Sequence, residues 1–347
     1  MSIFDINPDI ARAETLASEF YADEKYFDES KEKIFARAWH LIGTTDEINN
    51  LKPRTILENF LDEPVLLAKD GARFYCLSNV CTHRGKILVE SECRASGIRC
   101  GYHGRRFALD GKFLSMPEFE NARNFPTERD DLPKIPFGIW EKFLFASINP
   151  AAPLAEFISP LRERLSFFDF EALRFVSSKD YRVKAHWALY CENYLEGFHI
   201  PFVQASLNEA IDYGSYATEI FRFSSLQTGA ARRKEEAFDF DKNTAALYFF
   251  VFPNLMFNFY PWGLSANIVE PLKPDLTKIS YLTFVSDESR LGEGAGADLE
   301  RVELEDQRVV ESVQKGIRSR FYQSGRYSPS REQATHHFHR LIAEFMM

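Results

Sequence analysis

The stretch Cys81–His103 constrains this chain more than any other. It places Cys81-Thr82-His83 and, after sixteen intervening residues, Cys100-Gly101-Tyr102-His103. Two cysteines and two histidines alternate as Cys-x-His and Cys-x-x-His. A [2Fe–2S] cluster in which two His replace two Cys on one iron matches this donor set, and the replacement raises the reduction potential. Each half of the pattern offers one thiolate to one iron and one imidazole to the other. Zinc also accepts two Cys and two His and stays the alternative, but zinc-finger spacing usually runs Cys, Cys, His, His. Gly101 follows Cys100 and Gly104 follows His103, so tight turns are open to the backbone beside these ligands. Turn N–H groups can then hydrogen-bond the sulfurs and tune the cluster.

A chain of 347 residues is long enough for two domains and a sizeable core. Net charge is −9 and no basic stretch stands out, which argues against nucleic acid as a partner. No apolar run reaches membrane-spanning length, and Met1–Asp5 does not open a secretory signal. Of the five cysteines, Cys76, Cys93 and Cys191 remain after the cluster takes two. That odd remainder does not read as a disulfide framework, so a reducing cytoplasm is expected. Phe is common, at 33 residues, which serves an aromatic core and an aromatic-lined pocket equally well.

Residues 9–38 read as helical, with Asp28 a plausible N-cap for the run into Ile34-Phe35. From Trp39 to about Pro150 the pattern turns to short β runs: His40–Gly43, Thr55–Glu58, Pro64–Ala68, Arg73–Leu77 and Phe143–Ile148. Asp70-Gly71 marks a hairpin, and Asp110-Gly111 repeats the signal. A small antiparallel β domain with both ligand pairs on loops is the result. Residues 151–175 lead into a second domain whose strand candidates are Tyr181–His186, Glu219–Gln227, Ala246–Phe252, Leu255–Tyr260, Ser265–Glu270 and Lys278–Val285. Gly292–Gly296 reads as a loop rather than a phosphate-binding turn, because it lacks the strand–helix context. The expected division is a helical segment 1–38 packing on the second domain, a cluster domain 39–150 and a second domain 151–347.

A second constellation lies in Glu192–Gln204. On a helix continuing to Pro201, Glu192, Glu196 and His199 share one face, and Pro201 ends or kinks that helix. A lone His is more often structural, but two carboxylates beside it call for partners or a metal. Downstream, Val302, Val309, Val310, Val313 and Ile317 form an apolar helical stripe, and Asp306 sits on it. A carboxylate on a core stripe is costly unless paired or metal-bound. Its neighbour Glu305, between Arg301 and Arg308, reads as a solvated residue.

Cys81–Gly85 with Cys100–Gly104, Phe107 and Asp110-Gly111 resemble the Rieske domain of oxygenase α-subunits. Asn193–Pro201 resembles the iron-site helix of Rieske non-haem iron oxygenases, and Glu305-Asp306 with Glu311–Gly316 resembles the segment carrying their carboxylate ligand. These two segments and Pro253–Met256 are nearest the choline monooxygenase and glycine-betaine demethylase branch. The resemblance implies an α+β chain: an N-terminal all-β Rieske domain, a C-terminal helix-grip catalytic domain and a head-to-tail homotrimer. It implies [2Fe–2S] ligands Cys81, His83, Cys100 and His103, and mononuclear iron ligands His199 and Asp306. Asn193 matches a residue near the iron, and Glu196 the acid linking it to a neighbouring subunit's Rieske His. Where the pattern has a second ligand His, five residues after His199, this chain has Gln204. An amide oxygen can ligate Fe(II), but more weakly than imidazole. His336, His337 and His339 are not obvious replacements.

The resemblance implies an oxygenase component that takes electrons from an NAD(P)H reductase or ferredoxin, since no nucleotide-binding glycine motif is present. O₂ and a small organic substrate meet at the mononuclear iron in mono- or dioxygenation. Phe257, Phe259, Tyr260 and Trp262 are candidates for a pocket wall or for core, and an aromatic cage would suit a quaternary ammonium. The rival reading is an electron-transfer or binding protein with an intact cluster and an impaired iron site.

Overall fold

The computed structural model describes residues 3–204, 207, 209, 211–232, 237–238, 241, 243–291 and 299–347. The predicted Gly292–Gly296 loop lies outside them. Chain contacts divide the protein into two compact units, one of Ala36–Ala151 and one joining the segment up to Phe35 with Ala152–Met347.

The 36–151 unit is antiparallel throughout. β1 (His40–Thr44), β9 (Phe143–Ala146) and β8 (Phe137–Trp140) form one sheet. β2 (Leu51–Ile56), β3 (Glu63–Asp70) and β4 (Arg73–Ser78) form a second, and the short β5 (Ile98–Arg99), β6 (Arg106–Phe107) and β7 (Phe113–Ser115) a third. Asp70 pairs with Arg73 across the β3–β4 turn, and Gly71 there adopts φ +58°, a conformation that favours glycine. Leu51, Leu66, Leu77, Ile98 and Phe107 build a core that also takes in Cys81 and Cys100. Alternate positions of these short strands supply it, so the loops holding the cysteines rest on a packed base.

The other unit is built on a seven-stranded antiparallel sheet in the order β10-β16-β15-β14-β13-β12-β11. Its strands are β10 (Arg174–Val183), β11 (Ile211–Ile220), β12 (Ser224–Ala231), β13 (Thr244–Val251), β14 (Leu255–Tyr260), β15 (Gly263–Lys273) and β16 (Leu276–Val285). The helices are α1 (Ser18–Ala22), α2 (Glu24–Lys33), α3 (Leu154–Arg164), α4 (Trp187–Tyr194), α5 (Ile200–Val203), α6 (Leu299–Ile317) and α7 (Gln333–Met346). α4 and α6 pack together. Gln314 on α6 accepts a hydrogen bond from the His186 backbone N–H at 2.7 Å, and Glu311 accepts from that of Lys184 at 3.0 Å. Among the described residues, no helix is long and apolar enough to cross a membrane.

Several expectations are corrected. The helical run at 9–38 is confined to α1, α2 and a 3₁₀ turn at Phe35–Arg37, because Thr15 and Glu14 instead pair with Gly325 and Arg326. Tertiary pairing overrides local propensity there. The N-cap is Asp23, which accepts from the Lys25 backbone N–H; Asp28 lies inside α2. Glu219–Gln227 is not one strand: a turn closed by Phe221 N–H to Ser224 C=O separates β11 from β12. The strand sought at Tyr181–His186 is β10, which begins at Arg174 and is mostly exposed, so hydrophobicity does not mark it. His186 has left the strand and caps α4, its Nδ1 accepting from Ala188.

Candidate functional site

In the 36–151 unit, Cys81 and Cys100 stand in two loops of matching construction. Cys81 C=O accepts from Gly85 N–H, and Cys100 C=O accepts from Gly104 N–H, each at 3.0 Å. Cys81 N–H donates to Lys86 and Cys100 N–H to Arg105, each at 2.8 Å. Gly85 and Gly104 adopt φ +73° and +77°, so a glycine four residues after each cysteine closes the loop. The loops bring the two thiols together, with the backbone N–H groups of His83 and Arg84 on one sulfur and of Tyr102 and His103 on the other. Burial opposes ionisation of Cys100, but those amides and the Cys81 contact hold its thiol below the usual range. The His83 and His103 rings lie 4.8 Å apart, near perpendicular. Nδ1 of His103 is buried without a hydrogen-bond partner.

A residue the motif reading passed over supports these loops. Arg105 is 2 % exposed, and its guanidinium reaches Asp130 Oδ1 at 2.5 Å. It also lies against the rings of Phe107, Phe113 and Phe125. Thr82, between Cys81 and His83, donates to the Asp130 carbonyl at 2.9 Å.

In the other unit, α4 stops at Tyr194, and Glu196, Gly197 and Phe198 form a turn before α5. The continuous helix to Pro201 is therefore corrected: Pro201 sits in the first turn of α5, where its missing N–H costs nothing. The turn still brings Glu196 to His199. Glu196 Oε2 accepts from the backbone N–H groups of Phe198 and His199, and Oε1 contacts His199 Nδ1 at 2.8 Å. The other ring nitrogen of His199 faces Asp306 Oδ1 at 3.6 Å. Gln204 donates its Nε2 to that same oxygen at 2.7 Å, and Asn193 hydrogen-bonds the Asp306 carboxylate as well. Gln204 Oε1 is buried without a partner.

Burial pushes Asp306 up to about 6, against the pull of His199, Asn193 and Gln204. Burial would lower His199, but the Glu196 and Asp306 carboxylates outweigh it and raise the imidazole. Among the described residues, no three His, Cys, Asp or Glu side chains close on one point. His199 and Asp306 are two such groups, and Gln204 supplies the adjacent amide.

These residues line a cavity of about 90 Å³ together with Tyr190, Tyr194, Tyr216, Tyr248, Tyr260 and Tyr281. Of the four candidates for pocket wall or core, Tyr260 faces the cavity, while Phe257, Phe259 and Trp262 are buried in the core. Strand alternation gives the reason: on β14 Asn258 and Tyr260 point in, while Phe257 and Phe259 point to the core. Tyr194 and Tyr248 meet at 89°, and Tyr248 and Tyr260 at 80°, so neighbouring rings stand as the walls of a box. Glu305 is also corrected. Its side chain is 18 % exposed, it pairs with Arg301, and its Oε2 is buried. His336 and His339 are structural contacts: His336 Nε2 meets Asn7 C=O at 2.8 Å, and His339 Nδ1 meets the Tyr327 hydroxyl at 2.5 Å.

Residues 170–347 match the family of ring-hydroxylating α-subunit catalytic domains, and residues 38–126 match the Rieske [2Fe–2S] domain. The chain belongs to the Rieske non-haem iron oxygenases. It is 28 % identical to the chloroplastic choline monooxygenase of Arabidopsis thaliana, over 98 % of this chain and 84 % of the relative. It is 29 % identical to the carnitine monooxygenase oxygenase subunit of Escherichia coli (strain K12), over 98 % and 96 %. A solved quaternary ammonium Rieske monooxygenase, studied for carnitine oxidation by gut microbiota, superposes with a TM-score of 0.80. It is 24 % identical and covers 99 % of this chain and 98 % of that one. The oxygenase thus has the expected α+β class. The family's cofactors are a [2Fe–2S] cluster and a mononuclear iron, and its members need an external electron donor, O₂ and a small substrate. The residues present fit both metals. One thiol pair and one imidazole pair suit a cluster whose irons each take two protein ligands, and His103 Nδ1 has no other partner. The unpartnered Gln204 Oε1 beside His199 and Asp306 suits a ferrous ion with two good donors and one weak one.

Proposed function

We propose that this oxygenase hydroxylates or oxidatively demethylates a small quaternary ammonium compound, with Cys81, His83, Cys100 and His103 holding the cluster and His199, Asp306 and Gln204 holding the iron. The observation that carries the iron assignment is the convergence of Gln204 and His199 on Asp306 Oδ1. The iron, when bound, supplies O₂ activation beside the substrate. The chain does the rest. Glu196 fixes the His199 ring through Nδ1, leaving the opposite nitrogen for the metal. Asn193 and Gln204 orient the Asp306 carboxylate. The tyrosine box supports an ammonium guest, because perpendicular aromatic faces attract a cation from several sides.

The cluster held by Cys81, His83, Cys100 and His103 would supply electrons drawn from an NAD(P)H-dependent reductase, directly or through a ferredoxin. Glu196, bonded to His199 Nδ1, would link the iron site to a neighbouring subunit of a homotrimer. Exposed aromatics beside Glu196 support a docking surface there, with Phe202 81 % exposed. Free cysteines support a cytoplasmic setting. The test is iron and sulfide per chain in the purified protein. About three irons to two sulfides supports two metal sites. About two to two leaves an intact cluster without the iron, and the electron-transfer or binding reading that Gln204 favours takes over.

A further inference from the structure

Glu303 is a buried carboxylate that the iron site does not use. It lies on the buried face of α6 and is 1 % exposed. Its Oε2 accepts from the hydroxyls of Tyr190 and Tyr281, and its Oε1 from Gln307 Nε2 at 2.8 Å. Among the described residues it forms no ion pair, and its charged neighbour Asp306, one turn on, has the same sign. Burying a carboxylate costs several kcal/mol unless a cation compensates it. An apolar side chain at this position of the stripe would fold more cheaply.

The two tyrosines make the connection. Both line the cavity, and both donate their hydroxyl protons to Glu303, so those protons are not free for the guest. The lining also includes Glu196 and Asp306 but, among the described residues, no Lys or Arg. Burial pushes Glu303 up to about 7, against the hydrogen bonds from Tyr190, Tyr281 and Gln307. Once ionised, above that pH, it stands as a negative charge directly behind two cavity-lining tyrosines. The neutral hydrogen-bonding groups at the cavity are Asn258, Ser265 and Asn267 on β14 and β15, which suit a hydroxyl. A carboxylate on the guest would lie near Glu196 and Asp306 with, among the described residues, no Lys or Arg at the cavity to receive it.

We propose that Glu303, acting through the Tyr190 and Tyr281 hydroxyls, is the counter-charge that selects a monocationic ammonium substrate bearing a neutral polar arm over uncharged and zwitterionic analogues. The proposal rests on the oxygenase reading above and narrows its substrate class. Glu303 sets specificity by its charge and touches neither substrate nor metal.

The test is calorimetric titration of the purified holoprotein at about pH 8.5, where Glu303 is ionised, with three probes: choline, its uncharged carbon isostere 3,3-dimethylbutan-1-ol, and the zwitterion glycine betaine. In the wild type, choline binds at least about tenfold more tightly than either of the others. Glu303→Gln keeps the size and the acceptor oxygen but removes the charge. It weakens choline by about tenfold or more and leaves the isostere within about twofold. Equal binding of choline and its isostere to the wild type, tight binding of glycine betaine, or no binding of choline overturns the proposal, and none of these needs a variant to fold. A Glu303→Gln protein that loses both probes alike overturns it too, since that marks a structural role. Iron and sulfide measured on the same sample separate the two claims. A full iron complement without choline preference sinks this inference alone, while missing mononuclear iron sinks the oxygenase assignment.

Discussion

Gln204 donates its side-chain Nε2 to Asp306 Oδ1 at 2.7 Å, joining positions 102 residues apart. The bond orients both groups and leaves Gln204 Oε1 buried without a partner beside His199. Gln204→His exchanges a weak amide donor for imidazole, so mononuclear iron affinity rises by at least about tenfold. Asp306→Ala removes that iron and spares the cluster, which belongs to the other unit. Metal titration followed by the visible spectrum of the cluster separates the two effects. Unchanged iron affinity in Gln204→His would place Gln204 away from the metal.

The Arg105–Asp130 pair sets a charge beside the cluster loops. Arg105→Met removes a buried positive charge, disfavours the reduced cluster and lowers its potential. Asp130→Asn removes the opposing charge and raises it. Each shift is on the order of tens of millivolts at the effective dielectric of a protein interior. Redox titration of both variants gives opposite signs, and shifts of the same sign count against an electrostatic role. Arg105→Met is also destabilised less than Asp130→Asn, because the latter leaves a buried cation unpaired.

Gly197 is packed against a ring. A Cβ there would lie 2.8 Å from Cε1 and 3.0 Å from Cζ of Tyr216. The Tyr216 hydroxyl is held by Gln227 at 3.2 Å, and Gln227 in turn donates to the Tyr194 carbonyl at 2.7 Å. The ring cannot move without breaking that chain. Gly197→Ala therefore shifts the Glu196–His199 turn, costs about 1–3 kcal/mol of stability and weakens mononuclear iron binding. A fully metallated variant with wild-type melting would show that the turn tolerates a methyl group.

Acid stability follows from His186. It is fully buried among Phe20, Tyr21 and Trp187, and burial lowers its pKa from 6.5 to about 3. The folded protein refuses a proton that the unfolded chain binds below pH 6.5. No stability is at stake above that pH, and stability is lost as pH falls from 6.5 to about 3, by up to roughly 5 kcal/mol. His186→Phe flattens this window in thermal melts at pH 7, 5.5 and 4.5. An identical pH slope in the variant would place the acid sensitivity elsewhere.

Local pattern was enough to read the cluster loops, the β character of residues 40–146 and the misplaced acid at Asp306. A Cys-x-His repeat, an Asp-Gly turn and a carboxylate on an apolar stripe each carry their cause within a few residues of chain. The cavity wall was not legible in the same way. Tyr190 stands on α4, Tyr216 on β11, Tyr248 on β13 and Tyr281 on β16, and nothing local distinguishes them from Phe257 or Phe259. Which face of β14 meets the core depends on pairing with β13 and β15, and only that register turned Tyr260 inward and Phe259 away. Glu303 sits three residues before Asp306 on the same stripe, yet Glu-rich helices are common and its burial is invisible without β16 and α4 against it. Sequence by itself marked the four candidate cluster donors and the candidates His199, Gln204 and Asp306, because donor type and short-range spacing are local. Tertiary structure decided what surrounds them, because burial and charge compensation are sums over residues that only folding brings together.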